Sequence, residues 1–296
     1  MTSVTVLRAP DASLVATLRS LDDAVRHSDG HDAVPEAAFT ALAVQPEQCH
    51  AVATADGSAV AVTFPSDSFT PAHRQLAFVA APSAGSGTLQ VVVDAVVAMD
   101  PATLTAWLPG SDPRLVEALT DSGFEEHRRQ HRMEVALPLR EPADWPAAVT
   151  VTTFRPGVDT AAWLAVNNRA FANHPDQGGW IESVLDRRMA EPWFDPAGFL
   201  LAWRGPALLG FCWTKVHSGE PPTGEIFVIG VDPDAQGLGL GRALVLAGLA
   251  DLAERRVCRF GILYVAADNT GALHLYESLG FRIVRTDIAL VHGARS

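Results

Sequence analysis

The segment most indicative of the fold is Glu225-Ile-Phe-Val-Ile-Gly-Val-Asp-Pro-Asp-Ala-Gln236-Gly-Leu-Gly239-Leu-Gly241-Arg242. Its β-branched and aromatic residues predict a strand, and the alternating glycines predict a turn that leads into a helix. Glycines at these positions let backbone N–H groups approach a ligand closely, as a phosphate group requires. The stretch therefore predicts a pyrophosphate-binding loop, with an ordinary strand-turn-helix connection as the alternative.

The helix after this loop is predicted over roughly residues 241–256. It carries Val245, Leu249 and Leu252 on one apolar face. Its N-terminal N–H groups and its dipole point back at the loop, so an anion can bind there without a lysine.

The order of elements beyond the helix adds two more motifs. An apolar strand at 260–265 is followed by the capping pair Asp268-Asn269 and by the short helix Ala272-Leu-His-Leu-Tyr276-Glu-Ser-Leu-Gly280-Phe281, and a final strand runs to about His292. A Gln-x-x-Gly-x-Gly loop, an Asp-Asn pair and a Tyr-x-x-x-Gly-Phe ending in this order resemble the GCN5-related N-acetyltransferase (GNAT) superfamily. The resemblance implies a fold of the α/β class, of the α+β type, in which helices flank a central mixed sheet. It also implies acetyl-CoA as co-substrate.

The length of 296 residues fits two such units, and a repeat is visible. Residues 75–87 parallel the strand and loop at 226–241, and residues 114–128 parallel the helix that ends in Gly280-Phe281. The sequence therefore predicts two tandem GNAT domains, each with a central mixed sheet. We place a degenerate N-terminal domain at 1–138, a Pro-containing linker at 139–149 and a catalytic C-terminal domain at 150–296.

The two halves differ at the positions that chemistry needs. Alignment of Pro82 with Pro233 puts Arg74 opposite Glu225, and alignment of Phe124 with Phe281 puts Leu119 opposite Tyr276. We expect the chemistry in the second half and a structural partner in the first, where residual CoA binding stays an alternative.

Amine acetylation needs a base for the ammonium proton and an acid for the departing thiolate. Glu225, at the start of the strand that feeds the loop, is the candidate base, acting directly or through water, and Tyr276 is the candidate acid. Backbone N–H groups around 229–231 could hold the developing oxyanion. Taken singly, a solvated strand-start carboxylate and a half-buried helix aromatic remain the plain alternatives.

The segments around Asn167-Asn168, His174-Pro175-Asp176-Gln177-Gly178-Gly179-Trp180 and Trp213-Thr214-Lys215-Val216-His217 sharpen the resemblance. Together they are similar to the mycothiol synthases, tandem acetyltransferases that acetylate the cysteinyl amine of Cys-GlcN-Ins (1D-myo-inositol 2-(L-cysteinylamino)-2-deoxy-α-D-glucopyranoside) with acetyl-CoA. The resemblance assigns Glu225 as base and Tyr276 as acid. It assigns substrate contacts to Glu36, Asp176, Lys215 and Glu225, and acetyl-CoA contacts to Ile229, Gly230, Val231, Gln236, Gly237, Leu238, Gly239, Leu240, Gly241, Arg242, Tyr264 and Asn269.

The side chains of Asp176, Trp180, Trp213 and Lys215 suit a polyhydroxylated ligand, because charged groups can bind hydroxyls and rings can cover sugar faces. Burial of the tryptophans in the core is the alternative. Gly237 and Leu238 stand where the family often has arginines. Two other functions stay open: acetylation of another small amine, and a non-catalytic acyl-CoA-binding module.

Composition limits the remaining possibilities. A formal net charge of −12 disfavours a nucleic-acid surface, and no apolar run of 18 residues is present to span a membrane. The three cysteines lack metal-ligand spacing and are expected to be free or buried thiols, so we expect no metal site. We expect a cytoplasmic, monomeric enzyme that acts on a small-molecule amine.

Overall fold

The computed structural model describes residues 3–65, 73–172, 177–217, 219 and 221–293. They form two compact units. The first contains the residues through His131, Ala266–Asp268 and the residues from Arg285 onward; the second contains Arg132–Val265 and Asn269–Val284. The last strand of the chain thus begins in the second unit and ends in the first.

The first unit is a mixed sheet with helices. Its elements are β1 (Val4–Arg8), α1 (Ala12–Asp29), α2 (Glu36–Val44), β2 (His50–Thr54), β3 (Ala59–Pro65), β4 (His73–Ala80), α3 (Ser86–Met99), β5 (Thr103–Leu108) and α4 (Pro113–Asp121). The strands β1 to β4 pair antiparallel in order, and β4 pairs parallel with β5. Strand β12 (Arg282–His292) then pairs antiparallel with β5 through its last five residues.

The second unit repeats this plan. Its elements are β7 (Thr150–Thr153), α5 (Thr160–Ala170), α6 (Glu182–Met189), β8 (Phe199–Arg204), β9 (Ala207–His217), β10 (Thr223–Val231), α7 (Leu240–Glu254), β11 (Phe260–Ala266) and α8 (Thr270–Ser278), while β6 (Glu125–Ala136) starts in the first unit and ends in the second. Strands β7 to β10 pair antiparallel, and β10 pairs parallel with β11. The predicted fold class, two tandem α/β units with mixed strand pairing and flanking helices, is confirmed.

Each face of the second unit's sheet has its own core. The α7 cluster joins Leu244, Leu249 and Leu252 of α7 to Cys212 and Ile226. The other face carries the aromatic cluster, whose buried rings are Phe154, Trp163, Trp180, Phe199, Phe211 and Trp213, with Trp193 and Phe227 packed against them. Alternation along a strand assigns each side chain of β9 and β10 to one of these two faces.

The domain boundaries at 138 and 149 stay a prediction. The compact units show that residues 285–293 group with the first half of the chain, whereas the sequence pattern places them in the domain at 150–296. Register against β5 is a tertiary property, and the β12 sequence alone does not reveal which strand it pairs with.

Candidate active site

The glycine-rich loop has the backbone conformation that its sequence predicts. Gly237 and Gly239 have φ values of +77° and +80°, in the left-handed region that favours glycine. A Cβ built on either residue would meet no atom within 4 Å, so the loop faces open space. Helix α7 starts at Leu240 and no side chain caps its N-terminus, which leaves its first N–H groups for an anion. The loop therefore fits the diphosphate of acetyl-CoA.

Strands β10 and β11 part beside this loop. Their parallel pairing runs from Thr223↔Phe260 to Ile226↔Leu263, whereas β10 stays paired with β9 through Val231↔Gly210. Within the described part of the chain, Val228–Val231 therefore have a paired strand on one side only, and Phe227 lies at a register shift in the pairing with β9. The unpaired edge offers backbone N–H and C=O groups to an extended ligand, as an added strand would use them. The predicted contacts Ile229, Gly230 and Val231 lie on this edge.

Three other predicted acetyl-CoA contacts lie in the same unit as the loop. Tyr264 lies on β11 just past the last paired residue and is 38% exposed. The Asn269 side chain caps α8 by accepting from the Ala272 N–H at 3.1 Å. The Arg242 guanidinium donates to both carboxylate oxygens of Glu141, at 2.8 and 2.7 Å, and to Ser278 Oγ at 2.8 Å. Arg242 is thus held at the first turn of α7 by protein groups.

Glu225 is a buried carboxylate on β10, 7% exposed, so the alternative of a solvated strand-start residue is wrong. It pairs with Lys215 across β9, and directly opposed residues of a ladder point to the same face. That face carries the aromatic cluster, because Trp213, two residues before Lys215, belongs to it. The Glu225 Oε2 atom lies 2.5 Å from His217 Nε2. A buried carboxylate needs such a partner, since an unpaired charge away from water is costly.

Lys215 lies over aromatic rings. Its Nζ is 4.9 Å from the Trp193 ring centroid and 6.0 Å from that of Phe227. Such cation–π contacts hold an ammonium in place while leaving its N–H groups free to bind a ligand. The carboxyl group of Glu225 and the amino group of Lys215 thus belong to directly opposed residues, next to the point where the pairing of β10 with β11 ends.

The tryptophans proposed as sugar-covering rings are core residues. Trp213 is fully buried and stacks on Phe199 with ring centroids 4.5 Å apart, and Trp180 is 7% exposed. The sugar-stacking interpretation is therefore wrong for these two residues. An indole ring has the largest apolar surface of any side chain, and here it fills the space between the sheet and α5.

Tyr276 belongs to the α7 cluster on the other face of the sheet and is 7% exposed. Its ring packs against Phe281 with centroids 5.8 Å apart. Burial, and secondarily the nearby Cys212 thiol, raises the pKa of Tyr276 to about 12. The phenol therefore keeps its proton at neutral pH, as a general acid requires. Glu225 and Tyr276 thus belong to opposite faces of the second unit's sheet.

The other two predicted substrate contacts are Glu36 and Asp176. Glu36 is exposed at the first position of α2, in the first unit. Asp176 lies outside the described residues. Lys215 and Glu225 are therefore the two predicted substrate contacts that the structure places together.

The contact between His217 and Glu225 was not predicted from the sequence. The available signal was spacing: Lys215 and His217 are two residues apart on one strand, so their side chains share a face. The sequence does not reveal the register of β9 against β10, and this register puts both Lys215 and His217 next to Glu225.

Several expectations concern groups outside this site. The three cysteines are free and buried, as predicted. Among the described residues, no cluster of three or more His, Cys, Asp or Glu side chains could hold a metal ion. No helix in that part of the chain has both the length and the apolar character needed to cross a membrane.

Comparison with known proteins identifies the fold and the family of this chain. Residues 163–281 match the acetyltransferase (GNAT) family. A GCN5-related N-acetyltransferase from Sphaerobacter thermophilus superimposes with a TM-score of 0.77 at 22% identity, over 98% of this chain and 95% of the other. A tandem GNAT protein from the clavulanic acid biosynthesis pathway gives 0.71 at 16% identity, over 100% and 99%. Both likenesses show the fold.

Three relatives with higher sequence identity to this chain share the name mycothiol acetyltransferase. The mycothiol acetyltransferase of Catenulispora acidiphila is 39% identical over 97% of this chain and 98% of its own length. That of Parafrankia sp. is 39% identical over the full length of both, and that of Acidothermus cellulolyticus is 45% identical over 71% of this chain and 68% of its own. This chain, with two tandem GNAT units, belongs to the mycothiol acetyltransferase family of acetyl-CoA-dependent N-acetyltransferases.

Proposed function

We propose that this enzyme transfers the acetyl group of acetyl-CoA to the cysteinyl amine of Cys-GlcN-Ins, at the parted strands of its second unit. The observation that carries the proposal is the buried Glu225 carboxylate opposite Lys215. Glu225 lies next to the end of the β10–β11 pairing, on the strand that leads into the glycine-rich loop. Full-length relatives named mycothiol acetyltransferase support this choice of amine.

The residues that would hold acetyl-CoA follow from the fit of the loop and the open strand edge. Gln236–Arg242 would bind the diphosphate with their backbone N–H groups, and Ile229, Gly230 and Val231 would hydrogen-bond the extended arm through their main chain. Tyr264 and Asn269 would line the same cleft from β11 and α8. When bound, acetyl-CoA supplies an activated acetyl group whose thioester carbon accepts a nucleophile.

The amine must lose a proton before it can attack. An α-amino group has a pKa of about 7.7–8.0, so much of it is an ammonium at neutral pH. Glu225 would take that proton at its carboxylate, directly or through one water. The nitrogen lone pair then forms the C–N bond, a backbone N–H of residues 229–231 binds the developing oxyanion, and the C–S bond breaks. Tyr276 would give its phenolic proton to the departing sulfur, and the second proton that the nitrogen loses on becoming an amide would restore the phenol through water.

Recognition of the acceptor would rest on charged groups rather than on tryptophan faces. Lys215 can donate hydrogen bonds to hydroxyls from its position over Trp193. Asp176 and Glu36 would accept hydrogen bonds from further hydroxyls, as the family resemblance implies. The acidic character of the chain, with a net charge of −12, also favours the approach of a cationic amine.

Kinetics of Glu225→Gln and Tyr276→Phe test these roles. Each substitution keeps the shape of the side chain and removes its proton transfer, so kcat should fall about 10²–10⁴-fold in each variant. Acetyl-CoA affinity and melting temperature should stay near the wild-type values, which serves as the folding control. Unchanged kcat in both variants would remove the two residues from the mechanism.

We also propose that the enzyme acts in the cytoplasm as a monomer. Three free and buried thiols fit a reducing compartment, where disulfides are rare. Light scattering of the purified protein at several concentrations tests the oligomeric state, and a mass of two chains would contradict it.

A further inference from the structure

The proposed base has a partner that the chemistry above leaves without a role. His217 Nε2 lies 2.5 Å from Glu225 Oε2, within hydrogen-bonding distance. The Glu225 side chain is 9% exposed, whereas that of His217 is 38% exposed. The imidazole therefore stands between a buried carboxylate and solvent.

The sheet register fixes this contact. Glu225 opposes Lys215, and His217 opposes Thr223, so His217 is the diagonal neighbour of Glu225 on the same face. His217 is also the last residue of β9, where the strand is still paired on the β10 side. The ring is thus positioned by a paired backbone rather than by a loop.

Lys215, the other charged neighbour, is directed elsewhere. Its Nζ lies over the rings of Trp193 and Phe227, which leaves His217 as the group hydrogen-bonded to Oε2. A carboxylate rotates about its last torsion with little preference, so one fixed oxygen determines where the other points. With Oε2 engaged by His217, Oε1 is left to face the amine.

We infer that His217 is a positioning residue for the acetyl transfer: its Nε2–H donates to Oε2 of Glu225 and so aims Oε1 at the amine proton. The inference rests on the proposed role of Glu225 as base. The ammonium N–H bond breaks first and its proton goes to Oε1, directly or through one water. The nitrogen lone pair then forms the bond to the thioester carbon, and the C–S bond breaks. His217 exchanges no proton with the substrate; it holds the carboxylate still while this happens.

The first test is a set of His217 variants assayed for acetyl transfer to Cys-GlcN-Ins. His217→Ala should lower kcat about 10- to 100-fold, because a shift of about 1 Å in a reacting group can cost about 10²-fold, and KM for both substrates should stay within about twofold. His217→Gln should recover much of the loss, since its side-chain N–H can donate to the same oxygen. The control His27→Ala, which changes an exposed histidine of α1, should behave as wild type.

The second test asks whether His217 acts through Glu225. In a double-mutant cycle, His217→Ala should add no further loss to Glu225→Gln, because the group that it positions no longer takes a proton. A readout independent of turnover is the nitrogen NMR signal of the His217 ring, which should shift in Glu225→Gln without any substrate present.

The outcomes separate the two proposals. If Glu225→Gln is slow and His217→Ala is as fast as wild type, the positioning role is overturned and Glu225 remains the base. If the two losses multiply, His217 acts independently of Glu225 and the inference is also overturned. If Glu225→Gln keeps wild-type kcat, Glu225 is not the base, and the positioning role falls with it.

Discussion

At the scale of single residues, burial decides what the candidate acid can do. Tyr276 lies among leucines of the α7 cluster, and this apolar surrounding stabilises the neutral phenol against the phenolate. A tyrosine in water would begin to ionise around pH 10, whereas the pKa of Tyr276 is raised to about 12. The side chain therefore enters each turnover with its proton in place.

This shift has a measurable consequence for stability. The folded pKa lies above the unfolded one, so the contribution is complete below about pH 10 and is lost as the pH rises through about 12, by about 2–3 kcal/mol in total. The chain has two tyrosines, so the absorbance titration of wild type minus Tyr276→Phe isolates this group. We expect a difference midpoint near pH 12, and a smaller loss of unfolding free energy in the variant. A midpoint near pH 10 in protein that circular dichroism shows to be folded would contradict the burial argument.

At the scale of elements, the loop at 236–241 binds through its backbone, so its glycines matter more than its side chains. Gly239 ends the loop at φ +80° and precedes the first turn of α7. A side chain in this conformation costs about 1–2 kcal/mol. Relief of that strain would turn the N–H groups away from the diphosphate.

Gly239→Ala should therefore weaken acetyl-CoA binding. We expect a rise in Kd of about fivefold or more, since each 1.4 kcal/mol of lost binding is about tenfold. Gly87→Ala is the matched control, because Gly87 also faces open space but lacks a positive φ. Isothermal titration of both variants measures the effect; equal affinities for acetyl-CoA would show that the loop conformation does not contribute to binding.

The elements also show how far the sequence alone could reach. The loop glycines, the Asn269 cap and the paired motifs of the two halves were predictable, because each rests on local backbone chemistry. The end of β10–β11 pairing after Ile226 and the burial of Trp213 were not predictable, because both depend on which strand or helix lies alongside. The contact of His217 with Glu225 is of the same kind.

At the scale of the whole molecule, the two halves share the order of their strands and helices but differ in the side chains at matching positions. Where the second half has Glu225, the first has Arg74, whose guanidinium pairs with the buried Asp100 at 2.7 Å and donates to the Gln48 carbonyl at 2.6 Å. Arg114 of α4 donates to the carbonyls of Pro82 and Ala84, which correspond to Pro233 and Ala235 just before the loop at 236–241. In the first half, both arginines are thus hydrogen-bonded or ion-paired to groups of the protein itself.

The first unit is completed by the end of the chain. Residues Ile288–His292 of β12 pair with β5, and Leu290 is 2% exposed within the core of that unit. Leu290→Asp buries a charge without a partner and should lower the unfolding free energy by about 3 kcal/mol or more. Ile283→Asp, on the same strand but 46% exposed, is the control. Thermal melts should separate the two variants; equal melting temperatures would show that β12 contributes little to the first unit.

We propose above all that the second unit acetylates the cysteinyl amine of Cys-GlcN-Ins. The most direct measurement incubates the purified protein with acetyl-CoA and Cys-GlcN-Ins and follows both the release of free CoA and the mass of the acceptor, with Glu225→Gln in parallel. We expect CoA release matched by one added acetyl group on the cysteinyl nitrogen, and a loss of about 10²-fold or more in the variant. Acetyl-CoA binding without transfer to this amine, or transfer at an equal rate in Glu225→Gln, would contradict the claim.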